Sequence, residues 1–212
     1  FFDYLNKKNI LNFFEKKKKK SISLFIDVGA HHGESIKLFN KIFKIQNILA
    51  FEPSEENFNI LKIRTRKFNN LKLHNIALGN YNGIVDFKHH YDSESSTITE
   101  INENSKYYKK KNYLLNPFSL NKNKFFISKV KINRLDEILI RENIKYIDIL
   151  KIDTEGQDFN IIKGLGKMIQ KVEIIYFEHH FHNMLQKNYT LTDVHHYLSK
   201  NNFKKALKNK MF

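Results

Sequence analysis

Short apolar runs recur along the chain, most of them closing on a glycine or an acidic residue and passing into a stretch with helical periodicity. Residues 24–28 (LFIDV) stop at Gly29, and beyond it Ile36, Leu38, Phe39, Ile42 and Phe43 recur at the spacing of one helix face. Residues 48–51 form a second run that ends in Glu52-Pro53. In the stretch that follows, Phe58 pairs with Leu61 and Ile60 with Ile63 at helical intervals. This is a strand, helix, strand, helix series.

Residues 71–78 (LKLHNIAL) predict a third strand, and 80–83 (NYNG) carry turn chemistry ahead of the alternating Ile84, Asp86 and Lys88. From 93 to 128 the chain is polar and weakly periodic, which predicts an insertion carrying a loop. The pattern then predicts a short strand at 129–132, a helix at 135–141, strongly apolar strands at 146–152 (YIDILKI) and 172–177 (VEIIYF), and a helix near 192–200. A last strand at 203–207 completes the expectation. Strands apolar on both faces and alternating with helices predict an α/β domain whose mostly parallel central sheet is covered by helices on both faces. Residues 1–20 read as a helical, lysine-rich lead-in, and 21–212 as the domain itself.

Composition narrows the chemistry. The 212 residues are 41% hydrophobic with 19 Phe, enough to build one core. There is no cysteine, so disulfides, thiolate metal sites and a cysteine nucleophile are excluded. The net charge of +15 would ordinarily suggest nucleic acid, but the lysines are spread through every segment rather than clustered in one stripe. Neither a nucleic-acid partner nor stable membrane insertion is expected, and a cytoplasmic location is the simplest reading. The chain opens at Phe1 and stops at Phe212, which reads as a fragment or a trimmed sequence.

Four segments carry candidate chemistry. Asp27-Val28-Gly29-Ala30-His31-His32-Gly33 joins a strand to a helix, where glycine permits a sharp turn and a close approach to a ligand. Its G-x-x-x-G spacing departs from the dinucleotide fingerprint and lowers the case for an NAD-dependent oxidoreductase. Glu52 closes the second strand, where a carboxylate bonds ribose hydroxyls in nucleotide-binding sheets. Lys151-Ile152-Asp153-Thr154-Glu155-Gly156 and Glu178-His179-His180 close the two most apolar strands. Asp27, Glu52, Asp153 and Glu178 thus gather at one edge of the sheet, the edge where such folds bind ligands.

These segments resemble the FkbM-type methyltransferases. The resemblance rests on FIDVGAHHGES (25–35), AFEPSEENFNIL (50–61), NIALGNYNG (75–83), SESST (93–97), NRLDEIL (133–139), DILKIDTEGQDFNIIKG (148–164) and IIYFEHH (174–180). His31-His32 departs from it, since the family commonly has a small polar residue there. The resemblance implies a Rossmann-like class I methyltransferase fold, S-adenosylmethionine as cofactor, and methylation of a hydroxyl on a small-molecule or carbohydrate acceptor. It implies that Asp27, Gly29, Ala30, His31 and Gly33 hold the methionine part of the cofactor and Glu52 its ribose. Ala77, with Asn75 and Ile76, would flank the adenine, and Asp153 would stand near the sulfonium. Ser95, Ser96 and Thr97 fall where the family has a serine-rich turn near the active site.

Methyl transfer needs an aligned acceptor oxygen and a group to take its proton. Asp153, Glu178 and His180 are the candidate catalytic residues, with His179 and His182 as further candidate bases. Asp153, Glu178 and two histidines are also types that ligate divalent metals, but no metal site is assigned. A nucleic-acid amino methyltransferase would be expected to carry a Pro-Pro-aromatic turn where this chain has KIDTEG. A non-catalytic relic of the fold is the remaining alternative, disfavoured by the retained KIDTEG and FEHH strand ends.

Overall fold

The computed structural model describes residues 12–14, 21–90, 96–115 and 125–208. In chain order the elements are β1 (Ser21–Val28), α1 (Glu34–Ile42), β2 (Lys44–Phe51), α2 (Glu55–Thr65), β3 (Leu71–His74), β4 (Ala77–Gly79) and β5 (Gly83–His90). There follow α3 (Lys106–Leu115), β6 (Phe125–Arg134), α4 (Leu135–Arg141), β7 (Ile147–Ile152), α5 (Asp158–Gly164), a 3₁₀ turn (Gly166–Lys171), β8 (Val172–Phe177) and α6 (Leu191–Lys200).

Five strands make a parallel sheet in the order β3-β2-β1-β7-β8. Its central strands β1 and β7 are buried on both faces because neighbouring side chains serve opposite layers. Ile26, Leu49 and Leu150 enter a cluster with Leu135, Ile138, Phe159, Ile162 and Val194 of the helices on one face. Phe25, Ile48 and Ile149 enter the other, with Ile36, Phe39 and Leu61. The α/β class and the helix-covered parallel sheet expected from the pattern are what the structure has. Among the described residues of 1–20, Phe14 is buried and packs edge-to-face on Phe39 and Phe43.

The segment 71–78 is not one strand. Its first half pairs with β2, while Ala77–Gly79 joins β6 in a second sheet of order β4-β6-β5. The break falls at Asn75, whose Nδ2 donates to Glu52 O at 2.8 Å and to Pro53 O at 3.1 Å. A side chain that bonds the neighbouring backbone competes with the ladder and turns the chain. The polar region 93–128 is not simply a loop, since it contains α3 and the start of β6, a ten-residue strand antiparallel to β5. The strand expected at 203–207 is absent: Asn202 is left-handed (φ 68°) and the Phe203 amide closes back on Leu198 O at 3.0 Å. Among the described residues no helix is long and apolar enough to cross a membrane.

Strand order reverses between β1 and β7, and the two loops leaving these strands are locked together. The Asp153 amide donates to Val28 O at 3.0 Å, and a Cβ added to Gly29, at φ 74°, would lie 1.8 Å from Asp153 O. Gly29→Ala therefore combines a left-handed residue with displaced backbone, and at least about 1–3 kcal/mol of stability should be lost in urea unfolding. A loss within about 0.5 kcal/mol, the range of ordinary surface changes, would refute that contact as a constraint.

Candidate active site

A cleft of about 430 Å³ opens over this switch point, within the size range of small-molecule sites. The β1–α1 turn contributes Gly29, Ala30 and His31, and the end of β2 contributes Glu52. Ile76, Ala77, Leu78 and Phe87 form an apolar wall, and Ser96–Ile98, Lys151, Asp153–Glu155 and Glu178 are among the other lining residues. Ligands in open α/β sheets bind at this edge because the strands' carboxyl ends and the following turns converge there.

The β1–α1 turn shapes the cleft more than it offers free amides. Gly29 and Ala30 both donate to Phe51 O at 3.0 Å, and the His31 amide donates to Glu52 Oε2 at 2.9 Å. Ser54 N occupies the other oxygen, Glu52 Oε1, at 2.9 Å. The Glu52 carboxyl is thus held rigidly by the two amides, with Asn57 as a further side-chain partner. Burial pushes it up to about 7, against the two amides that favour its charged form.

Beneath the cleft lies a buried ion cluster. Asp27 has no exposed surface, and both its oxygens lack hydrogen-bond geometry; its charge is met by Lys151 Nζ at 3.1 Å. Burial raises the Asp27 pKa, with smaller contributions from the negative charges of Asp153 and Glu34, and Lys151 opposes the rise. Burial would lower Lys151, but Asp27 and Asp153 outweigh it and hold the ammonium above its ordinary value. Lys151 Nζ also donates to Gly29 O at 3.2 Å and faces Asp153 Oδ2 at 3.5 Å. One cation therefore ties the β1 turn to the β7 turn.

Asp153 and Glu178 form a carboxyl pair. Burial pushes Glu178 up to about 10, reinforced by its hydrogen bond to Asp153 and by that group's negative charge. At Asp153 burial works toward the neutral form, but Lys151 and the Glu178 hydrogen bond prevail and hold it below the usual carboxylate range. One proton held by the pair, with Glu178 its more basic member and Asp153 its more acidic one, avoids two adjacent negative charges.

The β7–α5 turn is braced from above. Glu155 (φ 50°) and Gly156 (φ 99°) are left-handed. Thr97 Oγ1 donates to Glu155 O at 2.7 Å, Gln157 Nε2 to Thr99 Oγ1 at 2.8 Å, and Tyr189 OH to Gly156 O at 2.9 Å. The stretch 96–99 is in this way a strap over the turn that carries Asp153.

The structure brings Gly29, Ala30, His31, Glu52, Ala77, Asp153 and Glu178 into one cleft, along with Ser96 and Thr97. Asp27 lies below the lining, facing Lys151. Gly33 is turned toward α2, where a Cβ would meet Thr65 at 2.7 Å. Asn75 braces the Glu52-Pro53 turn instead of lining the cleft, and Ile76 supplies the wall beside Ala77. His180 sits behind Glu155 and Glu178, and burial beside His182 holds it down to about 4. His179 is likewise held down to about 4 by burial, and His182 stacks on Tyr107 with ring centroids 4.0 Å apart. Ser95 lies outside the described residues.

Lys151 is the residue that sequence reasoning missed. Its signal was available: a lysine inside a buried run needs a counter-charge, and Asp27 is the polar residue of β1 in register with it. Thr97 and Thr99 as braces had no comparable signal, because a neutral hydroxyl carries no charge that demands a partner.

No curated protein matches the chain. Among solved structures it is similar to methyltransferase FkbM from Methylobacillus flagellatus KT, at 18% identity and a TM-score of 0.45, over 72% of this chain and 31% of that one. The chain thus spans less than a third of that protein's length. Residues 27–205 match the model of the methyltransferase FkbM domain, a span that takes in every lining segment of the cleft. On that match, the chain belongs to the FkbM-domain methyltransferase family.

Proposed function

We propose that the chain transfers a methyl group from S-adenosylmethionine to a hydroxyl of a small-molecule or carbohydrate-like acceptor. The observation that carries this reading is the cleft over the switch point, with a rigid carboxyl at the end of β2, an apolar wall beside it and Asp153 opposite. Bound there, S-adenosylmethionine would supply an electrophilic methyl group on a sulfonium. Glu52 would accept hydrogen bonds from its ribose hydroxyls through the acceptor capacity that His31 N, Ser54 N and Asn57 leave. Ile76, Ala77, Leu78 and Phe87 would exclude water around the adenine, and Gly29, Ala30 and His31 would shape the methionine end. The residues present therefore fit this cofactor.

Asp153 orients the acceptor hydroxyl and takes its proton. A carboxylate of lowered pKa is sufficient, because a hydroxyl proton becomes strongly acidic as its oxygen gains a new bond. Glu178, protonated, keeps Asp153 in place and in its charged form.

Calorimetry with S-adenosylhomocysteine tests the cofactor half. Glu52→Ala should weaken binding by about 1–3 kcal/mol through loss of hydrogen bonds to a charged group. Because burial sets the Glu52 carboxyl near 7, wild-type affinity should fall as pH drops below about 7, by up to about tenfold per unit, and Glu52→Gln should flatten that profile. An affinity unchanged in Glu52→Ala would remove Glu52 from the site, and preference for NAD would overturn the cofactor.

A further inference from the structure

We propose that Glu155, Glu178 and His180 form a site for one divalent first-row metal cation at the edge of the cleft, placed to receive an acceptor oxygen. The binding of the ion stands on its own geometry; only its service to the acceptor rests on the methyl-transfer reading above. One ligand atom from each of the three residues lies within 4.8 Å of the others. Ligands on opposite sides of a cation with bonds of about 2.0–2.3 Å stand about 4.0–4.6 Å apart, so one ion reaches all three after small side-chain rotations. The ion displaces the proton that Glu178 otherwise carries beside Asp153, and the resulting set of one imidazole and two carboxylates suits Mn²⁺, Fe²⁺, Co²⁺ or Zn²⁺ better than Mg²⁺ or Ca²⁺, which favour all-oxygen shells.

The second observation is the imidazole itself. His180 Nε2 is buried with no hydrogen-bond partner, 3.3 Å from Glu155 Oε2. Adjacent ligands of a tetrahedral ion with bonds of about 2.0–2.1 Å stand about 3.3–3.4 Å apart, so the contact has a metal-site spacing while lacking hydrogen-bond geometry. A buried polar nitrogen without a partner calls for an explanation, and an ion between imidazole and carboxylate supplies one. The cations already present are directed elsewhere: Lys187 Nζ donates to the backbone oxygen of His180, and Lys151 faces Asp27 and Asp153.

The site is also held from behind and open in front. Thr97 fixes the backbone of Glu155, and β8 delivers Glu178 and His180 from its end. Glu155 and Glu178 both line the cleft, so an ion bound by them keeps a coordination position toward any acceptor, as catalytic metal sites do. The other His and Glu group, His31, His32 and Glu34, is weaker on the same criteria. Its glutamate is 53% exposed and already pairs with Arg64 at 3.3 Å.

The test is a Mn²⁺ titration of the untagged chain, read from the loss of the free-ion electron paramagnetic resonance signal, alongside S-adenosylhomocysteine calorimetry. One Mn²⁺ per chain is expected, weakened about tenfold or more in Glu155→Gln and in His180→Gln, and unaffected by His31→Ala combined with His32→Ala. Glu155→Gln keeps shape and volume and is the deciding variant if His180→Gln fails to fold. No saturable binding by the wild type, or binding unchanged in Glu155→Gln, overturns the site; loss only in the His31 and His32 variant overturns it as well. Homocysteine-analogue binding without Mn²⁺ binding sinks the metal alone, and Mn²⁺ binding without the analogue sinks the cofactor reading alone.

Discussion

Asp153→Asn should lower turnover by about 10²- to 10⁴-fold, close to 3–5 kcal/mol of transition-state stabilisation, while leaving S-adenosylhomocysteine affinity nearly intact. The asparagine keeps the shape of the side chain but has no basic oxygen for the acceptor proton. It also removes the charge that raises Glu178, so any pH dependence of the remaining activity that Glu178 sets should move to lower pH. Two measurements separate the alternatives. A loss confined to cofactor affinity would make Asp153 a binding residue, and full activity with an identified acceptor would place proton removal elsewhere. His180 is then the next candidate, although it stands behind the cleft wall and would need a water or a side-chain movement to reach the acceptor.

Lys151→Met should be the most damaging substitution for stability, at about 3–5 kcal/mol, because it leaves Asp27 buried with no counter-charge. The pH dependence follows from the raised pKa of Asp27. Burial favours its protonated form in the folded state, so whatever stability the neutral form retains is present at low pH and is lost as pH rises above the unfolded value of about 3.9. The deficit of Lys151→Met should therefore be smallest near pH 4 and grow toward neutrality, as measured by urea unfolding across that range. Adding Asp27→Asn should recover part of it. A deficit below about 1 kcal/mol at neutral pH would mean that the pair is solvated and no more than an ordinary exposed ion pair.

The elements bearing the site were legible because each is local. LFIDV, YIDILKI and VEIIYF are predominantly apolar runs of strand length, and all three are strands of the central sheet. Glu52 and Asp153 were legible as strand-end acids for the same reason: they stand where a run stops. The 71–78 stretch misled because apolar periodicity cannot report which sheet a strand joins. Asn75 bonds the Glu52 and Pro53 carbonyls, which are distant in sequence, and that bond sends Ala77–Gly79 to a different partner. The 203–207 strand misled because a few apolar residues satisfy a strand pattern, whereas the left-handed Asn202 and the Phe203 amide closing on Leu198 O turn the chain back on α6.

The amino-acid sequence by itself determined the order of strands and helices, the burial of the central strands and the convergence of acids on one sheet edge, since hydrophobic periodicity and strand-end turns act over a few residues. Tertiary structure alone decided how those acids are used. Asp27 and Asp153 have the same side chain and close the two neighbouring strands β1 and β7, yet one lies beneath the cleft against Lys151 and the other lines it, shielded from Glu178 by a proton. That difference comes from desolvation and from charges brought together across more than a hundred residues of chain, and these depend on distance in space rather than on spacing in sequence.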